Sequence, residues 1–171
     1  MNVNAAADKC TVFKTTEEFI LANDLRIASK DDQRPWGGFL VIDEQDQEKF
    51  IATFFPHLTK AQLSISGKLS PKILIVAPGK RLSWQYHHRR AEIWKLIGGV
   101  AAVTTSDSDK EKDTVTMKDG TIIELKQGER HRLIGLEGWG IVAEIWRHTD
   151  PTHPSDEEDI VRVQDDFGRS K

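Results

Sequence analysis

A long series of short apolar runs, separated by turn residues, limits this chain to a small set of folds. Runs rich in Ile, Val, Leu, Thr and Trp alternate with Gly, Pro or charged residues over most of the chain. The runs cover residues 39–42, 50–55, 61–66, 72–77, 82–88, 92–97, 100–105, 114–117, 121–125, 130–134 and 140–147. Many short strands at regular spacing are typical of a β-sandwich or barrel, whereas Rossmann and TIM folds need alternating strands and helices. The sequence therefore predicts an all-β barrel.

The first 30 residues follow a different pattern. Thr15 can cap a helix, because Glu18 stands three residues later and can bond back to it. Apolar residues at helical spacing follow, namely Phe19, Ile20, Leu21, Leu25 and Ile27. We predict a short amphipathic helix over 16–28, within an N-terminal extension (1–33) that precedes a barrel domain (34–171).

Composition excludes several classes of protein. Lys and Arg together number 24 against 27 Asp and Glu, a net charge of −3 that argues against a nucleic-acid partner. Cys10 is the single cysteine, so neither an internal disulfide nor a cysteine-rich metal site can form. The N-terminal residues lack the pattern of a signal peptide, and no apolar run approaches the roughly 18 residues that span a bilayer. We expect a cytoplasmic protein with no membrane partner.

Two polar segments interrupt the barrel pattern. Residues 106–113 carry charges of both signs and are predicted to form a solvated hairpin loop. The tail from Asp150 contains two prolines and the acidic group 156–159, followed by Ile160, Val161 and Val163. We expect the end of the chain to dock on the barrel as a short strand or turn.

One segment places metal-ligand side chains on neighbouring strands. Gln85 and His87 share one face of a strand, because alternate residues of a strand point the same way. Residues 88–91 can form a hairpin connection, so that Glu92 begins the returning strand, and His131 lies on a later strand. Two imidazoles, a carboxylate and an amide oxygen form a suitable shell for a divalent metal ion. Four protein ligands also leave coordination positions open, as catalytic sites require.

The segments around these side chains resemble the two cupin motifs. Residues 78–99 have a Gly, a Gln-x-His in place of the His-x-His, a Glu and a final Gly, and residues 128–131 have Gly-x-x-His. More closely, the chain resembles the cupin domain of type II mannose-6-phosphate isomerases. The matching pieces are 34–37 (Arg-Pro-Trp-Gly), 82–88, 90–94, 131–133, 159–162 and 166–169 (Asp-Phe-Gly-Arg), which frame about four fifths of the chain in the family's order. The resemblance implies a cupin double-stranded β-helix, a jelly-roll barrel, here with a short N-terminal helix.

The resemblance also implies a metal site and an activity. The family's ligands fall on Gln85, His87, Glu92 and His131. Gln85 stands where most cupins have a histidine, and the sugar-phosphate isomerases of the superfamily use glutamine there. The implied cofactor is a divalent metal ion, Zn first, with Mn, Co or Ni as alternatives. The implied activity is the interconversion of mannose 6-phosphate and fructose 6-phosphate through an enediolate.

Such an isomerase needs a proton-transfer group and cations for the phosphate. Glu144 alternates with Trp146 on strand 141–147 and is our first candidate for the base, and Glu92 is the second. Arg169 ends a segment matched to the family; it is a candidate for binding the phosphate and is grouped with the catalytic residues. The further candidates for binding the sugar phosphate are Arg81, Arg89 and Arg147.

Two other functions remain open at this stage. A non-catalytic sugar- or sugar-phosphate-binding cupin would have the same pocket without proton exchange. A metal oxygenase would need redox-active iron, and an amide ligand from Gln85 disfavours it. By analogy with other cupins we expect a homodimer whose ligand is a small-molecule sugar phosphate.

Overall fold

A computed structural model describes residues 1–65 and 67–169 of the chain, which form nine strands and three α-helices. The strands are β1 (Ile27–Asp31), β2 (Gly37–Ile42), β3 (Lys72–Val76), β4 (Trp84–Tyr86), β5 (Arg90–Ser106), β6 (Val115–Met117), β7 (Ile122–Leu125), β8 (Arg130–His148) and β9 (Val161–Gln164). The helices are α1 (Lys9–Ala22), α2 (Gln47–Phe54) and α3 (Lys60–Leu63), and a 3-10 turn (Glu44–Asp46) precedes α2.

Two long strands, β5 and β8, build the barrel because each runs through both of its sheets. One sheet has the order β1-β2-β3-β8-β5-β7 and uses residues 140–148 of β8 and 90–99 of β5. The other has the order β9-β4-β8-β5-β6 and uses residues 130–135 and 101–106. This antiparallel arrangement is the jelly roll of a cupin, and it confirms the predicted fold class.

Glycines allow β5 and β8 to bend from one sheet into the other. The pairing register shifts on both sides of Gly99, whose φ is +69°. A Cβ there would lie 1.8 Å from the carbonyl oxygen of Trp139, so any larger residue would collide with the partner strand. The sequence runs 92–97 and 100–105 are therefore the two arms of one bent strand.

The N-terminal helix is displaced from its predicted position. It spans Lys9–Ala22, and its N-cap is Asp8, whose side chain accepts a hydrogen bond from the backbone N–H of Thr11 (2.9 Å). The helix ends at Asn23, because the following Asp24 adopts a φ of +56°. The predicted range 16–28 was wrong, since Ile27 begins strand β1, which pairs with β2.

The predicted strands 50–55 and 61–66 are also wrong, because the structure has helices in these two regions. Phe50, Ile51 and Phe54 lie on the buried side of helix α2, a spacing that fits a helix. Thr59 and Gln62 form a capping box at the start of α3. Residue 66 lies outside the described residues. Helices α1 and α2 cover the outer face of the first sheet.

The tail and the hairpin loop agree with the sequence predictions. Strand β9 pairs with β4, so the end of the chain docks on the second sheet. Residues 107–114 connect β5 to β6, which pair antiparallel. No helix in the described parts of the chain is long and apolar enough to cross a membrane.

Candidate metal centre and active site

Three buried ligand side chains meet where the two sheets join. His87 follows β4, Glu92 lies on β5 and His131 lies on β8, and their ligand atoms all lie within 4.8 Å of one another. His87 Nε2 is 3.2 Å from Glu92 Oε1, and His131 Nε2 is 3.4 Å from Glu92 Oε2. Gln85 is the direct pairing partner of His131, so it faces the same side of its sheet. The topology thus brings together three of the four residues suggested as ligands, and it places Gln85 beside His131, with its Oε1 accepting a hydrogen bond from Ser83 Oγ (2.5 Å).

Backbone carbonyls fix both imidazoles in the form that binds metals. His131 Nδ1 donates to the carbonyl oxygen of Glu129 (2.9 Å), and His87 Nδ1 donates to that of Asp159 (2.5 Å). With the proton held on Nδ1, each Nε2 carries a lone pair directed at Glu92. Burial lowers the pKa of His87, which favours this neutral form.

Two atoms of this group are orphaned. Glu92 Oε2 and His131 Nε2 are buried and have no hydrogen-bond partner among the described residues. Unsatisfied buried polar atoms are costly, and a lone pair facing a carboxylate is unfavourable without a cation between them. The donor set and these orphaned atoms fit a divalent metal ion.

Arg90 supplies positive charge beside the carboxylate. Its Nε donates to Glu92 Oε1 (2.7 Å), and its Nη2 lies 3.1 Å from His87 Nε2. Burial by itself raises the pKa of Glu92, but its contacts with His87, with the Arg90 guanidinium and with His131 hold that pKa well below its usual value. Glu92 is therefore an anion, as a metal ligand must be.

A cavity of about 210 Å³ opens beside Glu92 and Gln85. Its wall includes Glu144, from β8, and Lys72, from β3, which are direct neighbours across the two strands. Three tryptophans, Trp36, Trp94 and Trp146, also line it. The lining combines apolar and aromatic side chains with eight charged ones, which suits a small polar or charged ligand.

Glu144 is the titratable group of the cavity. Its side chain is buried, and its Oε1 accepts a hydrogen bond from Trp94 Nε1 (3.0 Å). Burial, together with the nearby charge of Glu92, raises the pKa of Glu144 to about 8, although Lys72 and Arg90 act against that rise. A carboxyl whose pKa lies near neutrality can both accept and return a proton.

The four arginines suggested from the sequence have different surroundings. Arg169 lines the cavity and pairs with Asp165. Three others do not belong to the cavity wall. Arg81 pairs with Asp166, Arg89 pairs with Asp156 and Asp159, and Arg147 lies on the surface 3.9 Å from Glu124. Arg81 and Arg89 thus hold the C-terminal segment onto the barrel.

Sequence reasoning missed four cations of the cavity wall, Arg34, Lys72, Arg90 and Arg162. A signal for Lys72 was present, because it shares the strand face of Leu74 and Val76, which point into the barrel. A lysine is rarely buried inside a protein unless its charge is paired or binds a ligand. Here Lys72 pairs with Glu157. For Arg90 and Arg162 the local sequence carries no such signal.

Comparison with known proteins identifies relatives over most of the chain. The family model described as "Mannose-6-phosphate isomerase C-terminal" matches residues 43–165. The chain is 30% identical over 137 residues to the alginate biosynthesis protein AlgA of Pseudomonas aeruginosa, covering 80% of this chain and 22% of that protein. It is 31% identical over 137 residues to the xanthan biosynthesis protein XanB of Xanthomonas campestris pv. campestris, covering 80% and 23%. The chain therefore spans less than a quarter of the length of either relative.

A solved structure shares the fold. The capsular polysaccharide assembling protein CapF from Staphylococcus aureus superposes with a TM-score of 0.51 at 13% identity, covering 82% of this chain and 34% of that one. At this level of identity the likeness concerns the fold alone.

Proposed function

This chain belongs to the mannose-6-phosphate isomerase C-terminal family, and we propose that it is a metal-dependent aldose–ketose isomerase of sugar phosphates. The proposed reaction interconverts mannose 6-phosphate and fructose 6-phosphate through an enediolate. One observation carries the proposal: a buried carboxyl with a raised pKa, Glu144, lines the same cavity as the ligand side chains Gln85 and Glu92. An isomerase of this kind needs these two components within reach of one sugar.

The proposed metal ligands are Gln85, His87, Glu92 and His131. Zn²⁺ is the first ion to test, followed by Mn²⁺, Co²⁺ and Ni²⁺, all of which accept nitrogen and oxygen donors. A divalent ion bound there would polarise the carbonyl and hydroxyl oxygens of the sugar and stabilise negative charge on them.

In this proposal Glu144 moves the proton. The carboxylate takes the proton from C2 of the aldose, the electron pair of that C–H bond forms the C1–C2 double bond, and the electrons of the C1 carbonyl move to O1, which gives the enediolate. The hydroxyl proton on O2 passes to O1. The same carboxyl then returns its proton to C1 while C2 becomes the carbonyl carbon of the ketose. The hydrogen bond from Trp94 holds Glu144 in place, and the charge of Lys72, its cross-strand neighbour, favours the ionised form. Glu92 serves as a ligand instead, because Arg90 and both histidines surround it.

Proton NMR of the metal-loaded chain with fructose 6-phosphate in D2O tests the proposal. We expect deuterium to enter C1 and the signals of an aldose phosphate to appear. The variant His131→Ala should lose both bound metal and exchange, whereas the exposed His57→Ala variant should keep both. Metal content measured by mass spectrometry provides a readout independent of turnover.

Binding of fructose 6-phosphate without deuterium exchange, in protein that carries each of the four metals in turn, would overturn the isomerase. That outcome would identify the alternative, a barrel that binds sugar phosphates without reacting.

A further inference from the structure

Three arginine side chains from separate segments line the same cavity. Arg34 comes from the loop between β1 and β2, Arg162 from β9, and Arg169 from the segment after β9. Arg162 is the pairing partner of Gln85, so it extends from the sheet face that carries a proposed metal ligand. We call these three side chains the arginine cluster.

Two of the three guanidinium groups in the arginine cluster pair with a carboxylate. Arg34 Nε donates to Asp31 (2.7 Å), and Arg169 Nη2 donates to Asp165 (2.5 Å). Arg162 has no ion pair with a carboxylate among the described residues, and its Nε is buried without a hydrogen-bond partner there. One positive charge in the wall of the cavity is therefore left for a ligand, in a chain whose net charge is −3.

The three guanidinium groups also affect one another. Burial lowers the pKa of Arg162, and the charges of Arg169 and Arg34 lower it further, while the charge of Asp165 opposes them. Like charges held together in a partly buried wall repel, so an anion between them would relieve both the repulsion and the unsatisfied donor.

The surrounding contacts hold the arginine cluster in place before a ligand arrives. The Arg34 guanidinium lies over the ring of Phe39 at 5.6 Å. Asp165 binds both the backbone N–H and the side chain of Arg169. Guanidinium groups fixed in this way match the oxygens of a phosphate, which accept paired hydrogen bonds.

We propose that Arg34, Arg162 and Arg169 form a subsite for a phosphomonoester group, which anchors the phosphate end of the ligand while the sugar end extends towards Glu144 and Glu92. The subsite rests on the proposed function for the identity of the sugar. The requirement for phosphate itself can be tested without any turnover.

The experiment is a titration of the full chain followed by tryptophan fluorescence, because Trp36, Trp94 and Trp146 line the cavity. The probes are inorganic phosphate, fructose 6-phosphate, fructose and glucuronate. Each titration is run twice, once with a chelator and once with zinc. The chelator is needed because phosphate also binds metal ions directly. The variants are R162Q, R34Q and, as a control for the loss of one positive charge, the exposed K14Q on helix α1.

We expect phosphate and fructose 6-phosphate to bind the wild-type chain, and both to bind R162Q and R34Q at least about tenfold more weakly. K14Q should bind within about twofold of wild type, and fructose should bind far more weakly than its phosphate. Unchanged affinity in folded R162Q and R34Q, no binding of either phosphate to wild type, or tighter binding of glucuronate than of fructose 6-phosphate would each overturn the subsite.

The subsite and the proposed isomerase can fail separately. Arginine-dependent binding without deuterium exchange would preserve the subsite and overturn the isomerase. Exchange with the same KM in wild type, R162Q and R34Q would preserve the isomerase and overturn the subsite.

Discussion

The two faces of the first sheet carry opposite chemistry although the same strands build both. On the outer face, Ile73 and Ile75 of β3 and Ile141 and Ile145 of β8 join the aromatic side chains of α2 in one apolar cluster. On the inner face, β3 and β8 contribute charged and aromatic side chains to the cavity, namely Lys72, Glu144 and Trp146. The alternation of a strand separates the two, so one face can stabilise the fold while the other holds groups that are costly to bury.

The buried polar side chains at the site stabilise one another. These side chains are Lys72, Gln85, His87, Arg90, Glu92, His131 and Glu144. Arg90 pairs with Glu92 on the same strand, Lys72 pairs with Glu157 of the C-terminal segment, and Glu144 accepts a hydrogen bond from Trp94. Buried charges persist in proteins when they are paired or bind a ligand. We therefore expect substitutions on this face to change activity and ligand binding, and substitutions on the outer face to change stability.

The largest effect is expected for Glu144→Gln, which keeps the shape of the side chain but removes its acid–base function. We expect kcat to fall by about 10²–10⁴-fold, the usual contribution of a positioned general base. The free energy of unfolding should change little, because the amide can still accept from Trp94. The matched control is Ile145→Val on the outer face, which should lower stability by about 0.5–1.5 kcal/mol and leave kcat unchanged. A Glu144→Gln enzyme with wild-type kcat would exclude Glu144 from proton transfer.

On the outer face, Phe50→Ala should destabilise the protein by about 3–5 kcal/mol. Phe50 is fully buried, and its ring centroid lies 4.8 Å from that of Phe54, so truncation leaves a cavity. Urea denaturation provides the measurement, and Leu21→Ala, at an exposed position, should stay within about 0.5 kcal/mol of wild type. A loss below about 1 kcal/mol for Phe50→Ala would show that α2 does not close this face.

Metal binding at the proposed ligands should stabilise the folded protein. With free Zn²⁺ at one hundred times its Kd, the free energy of unfolding should rise by about 2.7 kcal/mol, and a chelator should reverse the rise. His131→Ala should lose this increment, whereas His153→Ala, at an exposed position, should retain it. Equal stabilisation of both variants by zinc would place the metal elsewhere.

A smaller effect is expected at His148, where β8 reaches the C-terminal segment. Its Nδ1 accepts the backbone N–H of Ser155 (2.9 Å), which leaves its Nε2–H to donate to Ser70 Oγ (3.3 Å). Protonation would place a second N–H against that of Ser155. Burial lowers the pKa of His148 to about 4; the charges of Lys68, Arg89 and Arg90 add to this, and Asp159 opposes it.

Because the unfolded chain protonates this imidazole near pH 6.5 and the folded protein does not, the contribution of His148 to stability should fall as the pH drops from 6.5 towards 4 and change no further below 4. The expected loss is on the order of 1 kcal/mol, allowing for solvent screening. Denaturation at several pH values should show a shallower slope in His148→Asn than in wild type, and the wild-type slope in His57→Asn. Identical slopes in all three proteins would contradict this account.

Much of the barrel could be predicted from local sequence. Runs of β-branched and apolar residues marked strands β2 to β8, and the docking of the tail as β9 was also anticipated. The errors fell on 16–28, 50–55 and 61–66, where short apolar runs fit either a strand or a helix. Local capping decided the first and the last, through Asp8 for α1 and the Thr59–Gln62 box for α3.

The sequence by itself determined which side chains share a strand face and which donor types a metal would meet. Alternation places Gln85 and His87 on one strand face, and the motif spacing places Glu92 on the next strand. These relations are short in range and follow from the period of a strand.

Only the tertiary structure decided which charges meet. Lys72 and Glu144 are 72 residues apart in the chain and become direct neighbours when β3 pairs with β8. Pairing with carboxylates occupies Arg81 and Arg89, while Arg162 is left to face the cavity. The pKa of a carboxyl and the availability of an arginine depend on burial and on distant charges, and local sequence contains neither.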